Sequence, residues 1–358
     1  MLWILTSVAG LKAVYGADGA ALVTAKAGQL TTAGAAAVVQ PLASDATSPR
    51  DASALYAELK SLVGRGIAPQ AILILGEQRV FPSFTVGNPV TDRSIDPDNT
   101  VLTDNPYGQF DWTQPEQCTI PPVMVGRLAA GTNETAAGLG ALIDAQIALR
   151  KVPTGRTGYV EIVSRQWENA STAVMALSAP ASRLIVSPDG RVSAANASVI
   201  DCRYLYCNLH GFLNSTPWSG YDLGLSYPVP ALTPDAFLPQ YVGGTVAFTE
   251  ACYGLATMGK ATSASNALSL LAAGAGAVVG STGLAFGTAT PQPQTLLDAD
   301  VLARSFFNAA LTPKASVGSC LQKARQDLRN TGSTSDPYIT KTLLEFQLLG
   351  DPTYVPAS

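Results

Sequence analysis

The sequence predicts an α/β fold built on a mainly parallel sheet. Short apolar runs alternate with helix-like stretches along most of the 358 residues, as in chains whose strands are joined by helices. Apolar residues make up 47% of the chain, which is enough for a sizeable core in one large domain or in two packed subdomains.

The predicted strands are Trp3–Val8, Ala71–Leu75, Val123–Val125, Tyr159–Val163, Leu184–Val186, Tyr204–Leu209, Thr245–Phe248 and Ala277–Val279. The predicted helices lie near Ala52–Val63, Asn133–Arg150, Asn169–Ser178, Ser263–Ala273, Leu296–Ala310 and Lys314–Asn330. A break near Lys151–Gly155 separates a long helix from a new strand. We therefore expect two α/β subdomains side by side, at residues 1–152 and 153–358.

Two stretches have little periodicity and are predicted to be excursions from the sheet. Phe81–Pro122 is rich in Pro, Asp, Asn and Thr, and we expect a long surface loop. Gly211–Pro239 separates two predicted strands and is expected to form one wall of a cleft. The uncharged run Ala261–Leu297 is broken by Ser, Thr, Asn, Gly and Pro, so we predict a buried helix and strand there and no membrane span.

The N-terminus is apolar but has no basic residues before its apolar run, so Trp3–Val8 is interpreted as a buried strand rather than as a signal peptide. This favours the cytoplasm, although a secreted chain trimmed of its leader fits the sequence as well. The net charge of −4 argues against nucleic acid as the main partner, because phosphate binding needs a basic surface.

The five cysteines are irregularly spaced and odd in number, so at least one thiol should be free. The chain has one histidine, His210, which rules out a cluster of several Cys and His metal ligands. If this protein performs acid–base chemistry near neutral pH with an imidazole, His210 must supply it.

His210 and Cys252 follow two of the predicted strands. Tyr204–Leu209 ends in His210-Gly211, and Thr245–Phe248 is followed by Glu250-Ala251-Cys252. Parallel sheets place their sites beyond the C-terminal ends of strands, where a cysteine nucleophile and an imidazole base would meet. The N–H groups of Gly211 and Cys252 would then form an oxyanion hole.

A structural interpretation exists for each residue alone: a hydrogen-bonded histidine at a strand end, or a buried cysteine in a core. We favour catalysis because both residues close an apolar strand and both are followed by small residues within a short distance. Neither a phosphate-binding loop nor a serine nucleophile elbow is present in the sequence.

An apolar run ending in His-Gly, followed by one ending in Glu-Ala-Cys, resembles the caspase-like clan of cysteine peptidases, and further segments resemble its gingipain-like family. Those segments are Ile72–Glu77, Thr103–Gly108, Val125–Leu128, Val279–Thr282 and Leu348–Thr353. They span nearly the whole chain in order. The resemblance implies a caspase-like α/β fold with two subdomains, the second of which carries the Cys/His dyad.

By this resemblance Cys252 is the nucleophile, His210 the general acid/base and Gly211 an oxyanion donor. Gingipains orient the histidine with a glutamate at the end of the first strand of the second half. Glu168 is the nearest acid after that strand here, although its register does not match cleanly. A solvated surface glutamate is the alternative interpretation.

The resemblance also implies where the substrate side chain before the cleaved bond would bind. Glu250, two residues before Cys252, would line that pocket, together with Ser281, Thr282 and Phe286, the last of which stands where gingipains carry a Trp. A carboxylate in an apolar pocket is costly unless a cation meets it, so a substrate Arg or Lys is expected. Glu250 bonded to nearby backbone, or beside an internal Arg, is the alternative.

Five aspartates lie in the excursion Phe81–Pro122: Asp92, Asp96, Asp98, Asp104 and Asp111. Clustered carboxylates on a loop are suitable ligands for calcium, and Asp104 is the candidate we name. Most Asp-rich loops are turns without a metal. The reaction itself is expected to require no cofactor.

The sequence as a whole predicts a cysteine endopeptidase that hydrolyses protein or peptide substrates, with preference for a basic residue before the cleaved bond. The alternative is a catalytically silent or partner-gated module of the same fold, used for interaction or signalling. An activating partner or self-processing would belong to that second interpretation.

Overall fold

The computed structural model describes residues 1–33, 36–66, 68–152, 155–179, 182–222, 224–288, 296–333 and 335–356. The strands within these ranges are β1 (Leu2–Ser7), β2 (Ala37–Leu42), β3 (Ala71–Leu75), β4 (Phe84–Gly87), β5 (Thr100–Thr103), β6 (Met124–Leu128), β7 (Tyr159–Ser164), β8 (Arg183–Ser187), β9 (Tyr204–Asn208), β10 (Trp218–Gly220), β11 (Val229–Leu232), β12 (Val246–Thr249), β13 (Ala277–Ser281) and β14 (Phe346–Gly350).

The α-helices in the same ranges are α1 (Val8–Thr31), α2 (Ala52–Val63), α3 (Ala136–Lys151), α4 (Glu168–Met175), α5 (Pro239–Val242), α6 (Asn266–Ala272), α7 (Asp298–Ala310), α8 (Val317–Arg329) and α9 (Pro337–Glu345). The helical path of α1 is interrupted at Gly16, whose φ is +73°. None of the helices in the described ranges is long and apolar enough to cross a membrane.

A central sheet of ten strands runs through the described chain in the order β2-β1-β3-β6-β14-β13-β12-β9-β7-β8. Neighbouring strands are parallel except for β13 and β14, which are antiparallel. The predicted α/β fold with a mainly parallel sheet is confirmed.

Alternate strand residues point to opposite faces of this sheet, and helices cover both faces. In β9, for example, Leu205 and Cys207 lie in the core that α1, α3 and α6 cover, whereas Tyr204 and Tyr206 lie in the core under α4, α7, α8 and α9. A third core packs α2 against β1, β3 and β6.

The predicted division at residues 152 and 153 stays a prediction. Pro153 and Thr154, where we placed the break, lie outside the described residues. The strands from the first segment, β2-β1-β3-β6, adjoin those from the second through β6 and β14, whose pairing is limited to Leu349 and Arg127. The sheet is therefore continuous across the predicted boundary.

The prediction that Phe81–Pro122 is a surface loop is wrong. The segment contains the antiparallel hairpin β4–β5, and Phe81, Phe84 and Tyr107 are buried against α2 and the sheet. The low periodicity arises because its apolar residues are spaced by turns rather than by a regular helix or strand. Gly211–Pro239 likewise holds the short pair β10–β11.

Every predicted strand and helix overlaps an observed one. The predicted helix and strand within Ala261–Leu297 correspond to α6 and β13. The elements that the sequence analysis did not find are α1, α5, α9, β2, β4, β5, β10, β11 and β14. Helix α1 escaped notice because it is rich in Ala and Gly, so that its buried face is made largely of small side chains.

Candidate active site

Two neighbouring parallel strands bring His210 and Cys252 to the same edge of the sheet. β9 and β12 pair in register from Val246 beside Tyr204 to Thr249 beside Cys207. The pairing continues one step further, because the Glu250 N–H donates to the Cys207 carbonyl at 2.9 Å. The residues that follow each strand therefore leave the sheet side by side.

A cavity of about 240 Å³ opens beyond these strand ends. Four of the predicted site residues line it: His210, Glu250, Cys252 and Phe286. The other residues around it are Trp167, Asn208, Leu209, Leu284, Ala285, Gly287, Thr288, Ala299 and Asp300. The structure thus brings the predicted dyad and the predicted specificity residue together around one cavity.

His210 is fixed through both its backbone and its ring. Its backbone exchanges two hydrogen bonds with Ser219, at 2.7 and 2.8 Å, and its imidazole packs on Trp167 with 4.4 Å between ring centroids. Burial lowers the pKa of His210 below its usual 6.5, which favours the neutral ring. Its Nε2 is buried and has no hydrogen-bond partner among the described residues.

Cys252 is held as a thiol. Its Sγ donates to the Ala285 carbonyl at 3.6 Å, a contact that a thiolate has no proton to make. Burial raises the pKa of the Cys252 thiol to about 11. Cys252 is a free cysteine, as are the other four, and it is the least buried of the five by residue exposure.

Gly211 and Cys252 are in close backbone contact. A Cβ atom on Gly211 would overlap the Cys252 carbonyl oxygen and would lie 3.1 Å from Ala251 Cβ, so only glycine fits. In the described chain, the N–H groups of Gly211 and Cys252 make no hydrogen bond to another residue. Both N–H groups therefore remain open to an acceptor from outside the described chain.

Two carboxylates lie together in the wall of the cavity. Glu250 and Asp300 are 7% and 1% exposed, and each has its pKa raised by burial, with the pKa of Glu250 raised further by the charge of Asp300. Tyr206 Oη donates to Glu250, and the Thr288 N–H donates to Asp300 at 2.5 Å. Because neighbouring carboxylates resist double ionisation, the pair keeps a shared proton to a higher pH than an isolated carboxyl group would.

Asp300 was not identified from the sequence. It belongs to α7, far along the chain from Cys252, and nothing in its local pattern separates it from an ordinary acidic residue at a helix start. Within the described residues, no Lys or Arg forms an ion pair with Glu250 or Asp300. The described chain therefore contains no Arg paired with Glu250, which was the alternative interpretation.

Solved structures with the same fold include three peptidases. The first is a complex of the pro- and mature domains of RgpB from Porphyromonas gingivalis, 14% identical, with a TM-score of 0.67 over 99% of this chain and 79% of that chain. The second is the Arg-specific cysteine proteinase gingipain R (RgpB), 14% identical, with a TM-score of 0.65 over 99% and 78%. The third is described as a protease, 11% identical, with a TM-score of 0.66 over 99% and 78%.

Residues 203–357 match the model of peptidase family C25, and this segment contains both His210 and Cys252. This segment, which is less than half of the chain, is similar to that family of cysteine peptidases, and the chain as a whole has the fold of the solved gingipain structures. The resemblance and the caspase-like α/β fold expected from the sequence are thereby confirmed. No curated protein sequence matches the chain significantly.

Glu168, Ser281 and Thr282, which were predicted for the site, lie outside the cavity lining, as does Gly211. The Glu168 carboxylate, 33% exposed, pairs with Arg165 at 2.9 Å. Ser281 Oγ donates to the Gly283 carbonyl at 2.9 Å, and Thr282 Oγ1 donates to the Leu102 carbonyl at 2.8 Å. Ser281 and Thr282 thus bond to loop backbone close to the cavity, while Glu168 faces Arg165 at the start of α4.

Asp104 forms a buried ion pair. Its carboxylate accepts two hydrogen bonds from Arg127, at 2.8 and 2.7 Å, and a third from Ser83 Oγ. Arg127 therefore already neutralises the charge that a calcium ion would meet. Among the described residues, no group of three or more His, Cys, Asp and Glu side chains is arranged to hold a metal ion. A calcium site at Asp104 stays a prediction.

Proposed function

We propose that this protein is a cysteine endopeptidase in which Cys252 is the nucleophile and His210 the general acid/base. The supporting observation is that both line one cavity, which also contains two carboxylates without a cationic partner in the described chain. The lowered pKa of His210 keeps the ring neutral near pH 7, as a base must be.

The reaction begins when His210 takes the Cys252 proton and Sγ attacks the peptide carbonyl carbon. A C–S bond forms, and the carbonyl electrons move to the oxygen. When the tetrahedral intermediate collapses, the C–N bond breaks and His210 gives its proton to the leaving amine. Water then attacks the thioester, His210 takes a proton from it, and that proton returns to the departing thiolate.

The oxyanion of each tetrahedral intermediate is assigned to the N–H groups of Gly211 and Cys252. The two donors belong to residues in close backbone contact and bond to no other residue in the described ranges. Donors of this kind stabilise charge that develops only in the transition state, and each contributes about 3 to 4 kcal/mol in comparable enzymes.

We propose that Glu250 and Asp300 select a basic side chain before the cleaved bond. A buried carboxylate is stabilised when a cation meets it, and Arg or Lys would supply that cation in place of the shared proton. One solved structure of the same fold is described as Arg-specific. A protonated pair that hydrogen-bonds a neutral polar side chain is the competing outcome.

A scan of fluorogenic peptides that vary the residue before the cleaved bond tests both parts of this proposal. We expect Arg or Lys peptides to be cleaved by the wild type and not by Cys252→Ala. Cys320→Ala is the matched control, because Cys320 is a buried free thiol in α8 and does not line the cavity. Activity that survives in Cys252→Ala would exclude this nucleophile.

A gated form of the same enzyme is the second candidate, and one observation favours it. Cys252 donates to Ala285, and His210 Nε2 has no partner in the described chain, so the thiol and the imidazole are not bonded to each other. Removal of a segment by self-processing, or binding of a partner, would then align them. Activity that appears only after limited self-cleavage, with Cys252→Ala remaining uncleaved, would support gating.

A further inference from the structure

Asp98 bonds to both segments that flank Cys252, although it belongs to neither. It lies in the loop between β4 and β5. Its Oδ1 accepts a hydrogen bond from Tyr253 Oη, and its Oδ2 accepts one from the Leu284 N–H, each at 2.9 Å. Tyr253 follows Cys252 directly, and Leu284 lines the cavity. One carboxylate thus connects the nucleophile turn to the cavity wall.

The turn that Asp98 contacts has an unusual backbone. Tyr253 has a φ of +56°, in the left-handed region that a bulky residue adopts only when its surroundings enforce it. Its N–H donates to the Gly283 carbonyl at 2.6 Å, and its hydroxyl is bonded to Asp98. Hydrogen bonds therefore hold Tyr253 through its backbone N–H and through its hydroxyl. They fix the turn that sets the direction of Cys252.

A buried cation supports the same wall. Lys341 on α9 is fully buried, donates to the Leu284 carbonyl at 2.6 Å and lies 3.8 Å from Asp98 Oδ2. It also forms an ion pair with Asp96. Leu284 is therefore bonded through its N–H to Asp98 and through its carbonyl to Lys341.

The packing around this contact leaves little freedom. A Cβ on Gly283 would lie 2.9 Å from Glu345 Oε2 and 3.1 Å from Asp98 Oδ2, so the carboxylates approach the wall backbone closely. Ala285, two residues after Gly283, provides the carbonyl that accepts the hydrogen bond from the Cys252 thiol. A shift of Asp98 would consequently move the Ala285 carbonyl relative to the sulfur.

We propose that Asp98 is a positioning residue for the nucleophile, acting through Tyr253 and Leu284. This rests on the proposed role of Cys252. Asp98 does not touch the reacting atoms. It sets the distance between the Cys252 thiol and the Ala285 carbonyl, and thereby the strength of the hydrogen bond that must break before His210 takes the thiol proton. The segment predicted to be a surface loop supplies this residue.

The first test measures alkylation of Cys252 by iodoacetamide, followed by peptide mass spectrometry so that each of the five cysteines is scored separately. Asp98→Asn and Tyr253→Phe should each release the wall and raise the Cys252 rate by about threefold or more, because the thiol becomes more accessible. Asp92→Asn is the control, since Asp92 is an exposed acid of the same loop that bonds to Ser94.

This readout requires no peptidase activity, so its failure is distinct from failure of the proposed function. Tyr253→Phe keeps the ring and removes the hydroxyl alone, which preserves the test if Asp98→Asn does not fold. An unchanged Cys252 rate in Tyr253→Phe, or in a folded Asp98→Asn, would overturn the proposal. An equal rise in Asp92→Asn would overturn it as well.

The second test separates positioning from general stability. With active enzyme counted by titration of Cys252, kcat per site should fall about tenfold to a hundredfold in Asp98→Asn and Tyr253→Phe, with KM changed much less. The double variant should be no slower than the slower single variant, because both changes remove the same bond. Unchanged kcat per titrated site in both single variants would contradict a positioning role.

Discussion

Gly211 lies so close to Cys252 that its missing side chain is a structural requirement. A Cβ at Gly211 would lie only 2.0 Å from the Cys252 carbonyl oxygen. The residue after the histidine and the candidate nucleophile are thus in direct backbone contact, although the sequence separates them by a strand, a short helix and an excursion.

Gly211→Ala should therefore lower kcat/KM by about a hundredfold or more, because the added methyl moves the Cys252 backbone and the proposed oxyanion donors. The overlap should also cost about 1 to 3 kcal/mol of unfolding free energy. Peptide hydrolysis and urea unfolding measure the two effects.

Gly28→Ala is the control for this substitution. Gly28 lies in α1, and a Cβ added there would meet no atom within 4 Å, so alanine should leave activity intact and should stabilise the helix by about 0.5 to 1 kcal/mol. A Gly211→Ala enzyme as active as Gly28→Ala would refute the close contact.

The acid limb of the kcat/KM profile should fall below pH 6.5. Burial lowers the pKa of His210, so the ring stays neutral to a lower pH than a free imidazole before protonation removes the base. The same sign applies to folding: a depressed pKa in the folded state means that stability is lost as pH falls through that pKa.

Values of kcat/KM for one peptide, measured in buffers from pH 4 to 8, locate this limb. The peptide should carry no group that titrates in that range. Because kcat/KM reports groups of the free enzyme, a limb centred at or above 6.5 would show that His210 is not the group whose protonation limits the reaction.

Asp300→Asn should lower kcat/KM for Arg or Lys peptides by about tenfold to a thousandfold, since one partner of a buried charge interaction is removed. Asp298→Asn is the matched control: it lies on the same helix and does not line the cavity. Equal losses in the two variants would argue against a role for Asp300 in selecting the basic side chain.

KM for basic peptides should rise as pH falls. The midpoint of this rise should lie at a higher pH than the pKa of ordinary carboxyl groups. The raised pKa values of Glu250 and Asp300 mean that the pair gains its second proton, and loses its net charge, early in the acid range. Initial rates against peptide concentration at several pH values test this. A KM that stays constant down to pH 4 would contradict it.

Arg127→Leu should cost about 3 to 5 kcal/mol of unfolding free energy, because it leaves the Asp104 carboxylate buried without its partner. The two side chains are 4% and 8% exposed. Lys26→Leu provides the comparison, since Lys26 and Asp144 are 26% and 50% exposed and their pairing should contribute less than about 1 kcal/mol. Similar losses in urea unfolding would contradict the strong pairing at Arg127.

The sequence alone was sufficient for the strand-helix alternation and for the two strand ends that carry His210 and Cys252. Apolar runs and the residues after them are local features, and a parallel sheet places such ends at one edge as a general rule. The prediction of Glu250 as a cavity residue came instead from the resemblance, in which the residue two positions before the nucleophile lines the pocket.

Only the tertiary structure decided which distant residues lie beside His210, Cys252 and Glu250. Asp300 reaches Glu250 through the packing of α7 on the sheet, and Asp98 reaches Tyr253 through a hairpin that lacks sequence periodicity. Glu168, chosen because it is the next acid along the chain, faces Arg165 instead. Local pattern specifies elements, but contacts between elements depend on how whole faces pack, and a single sequence does not encode that packing in any short segment.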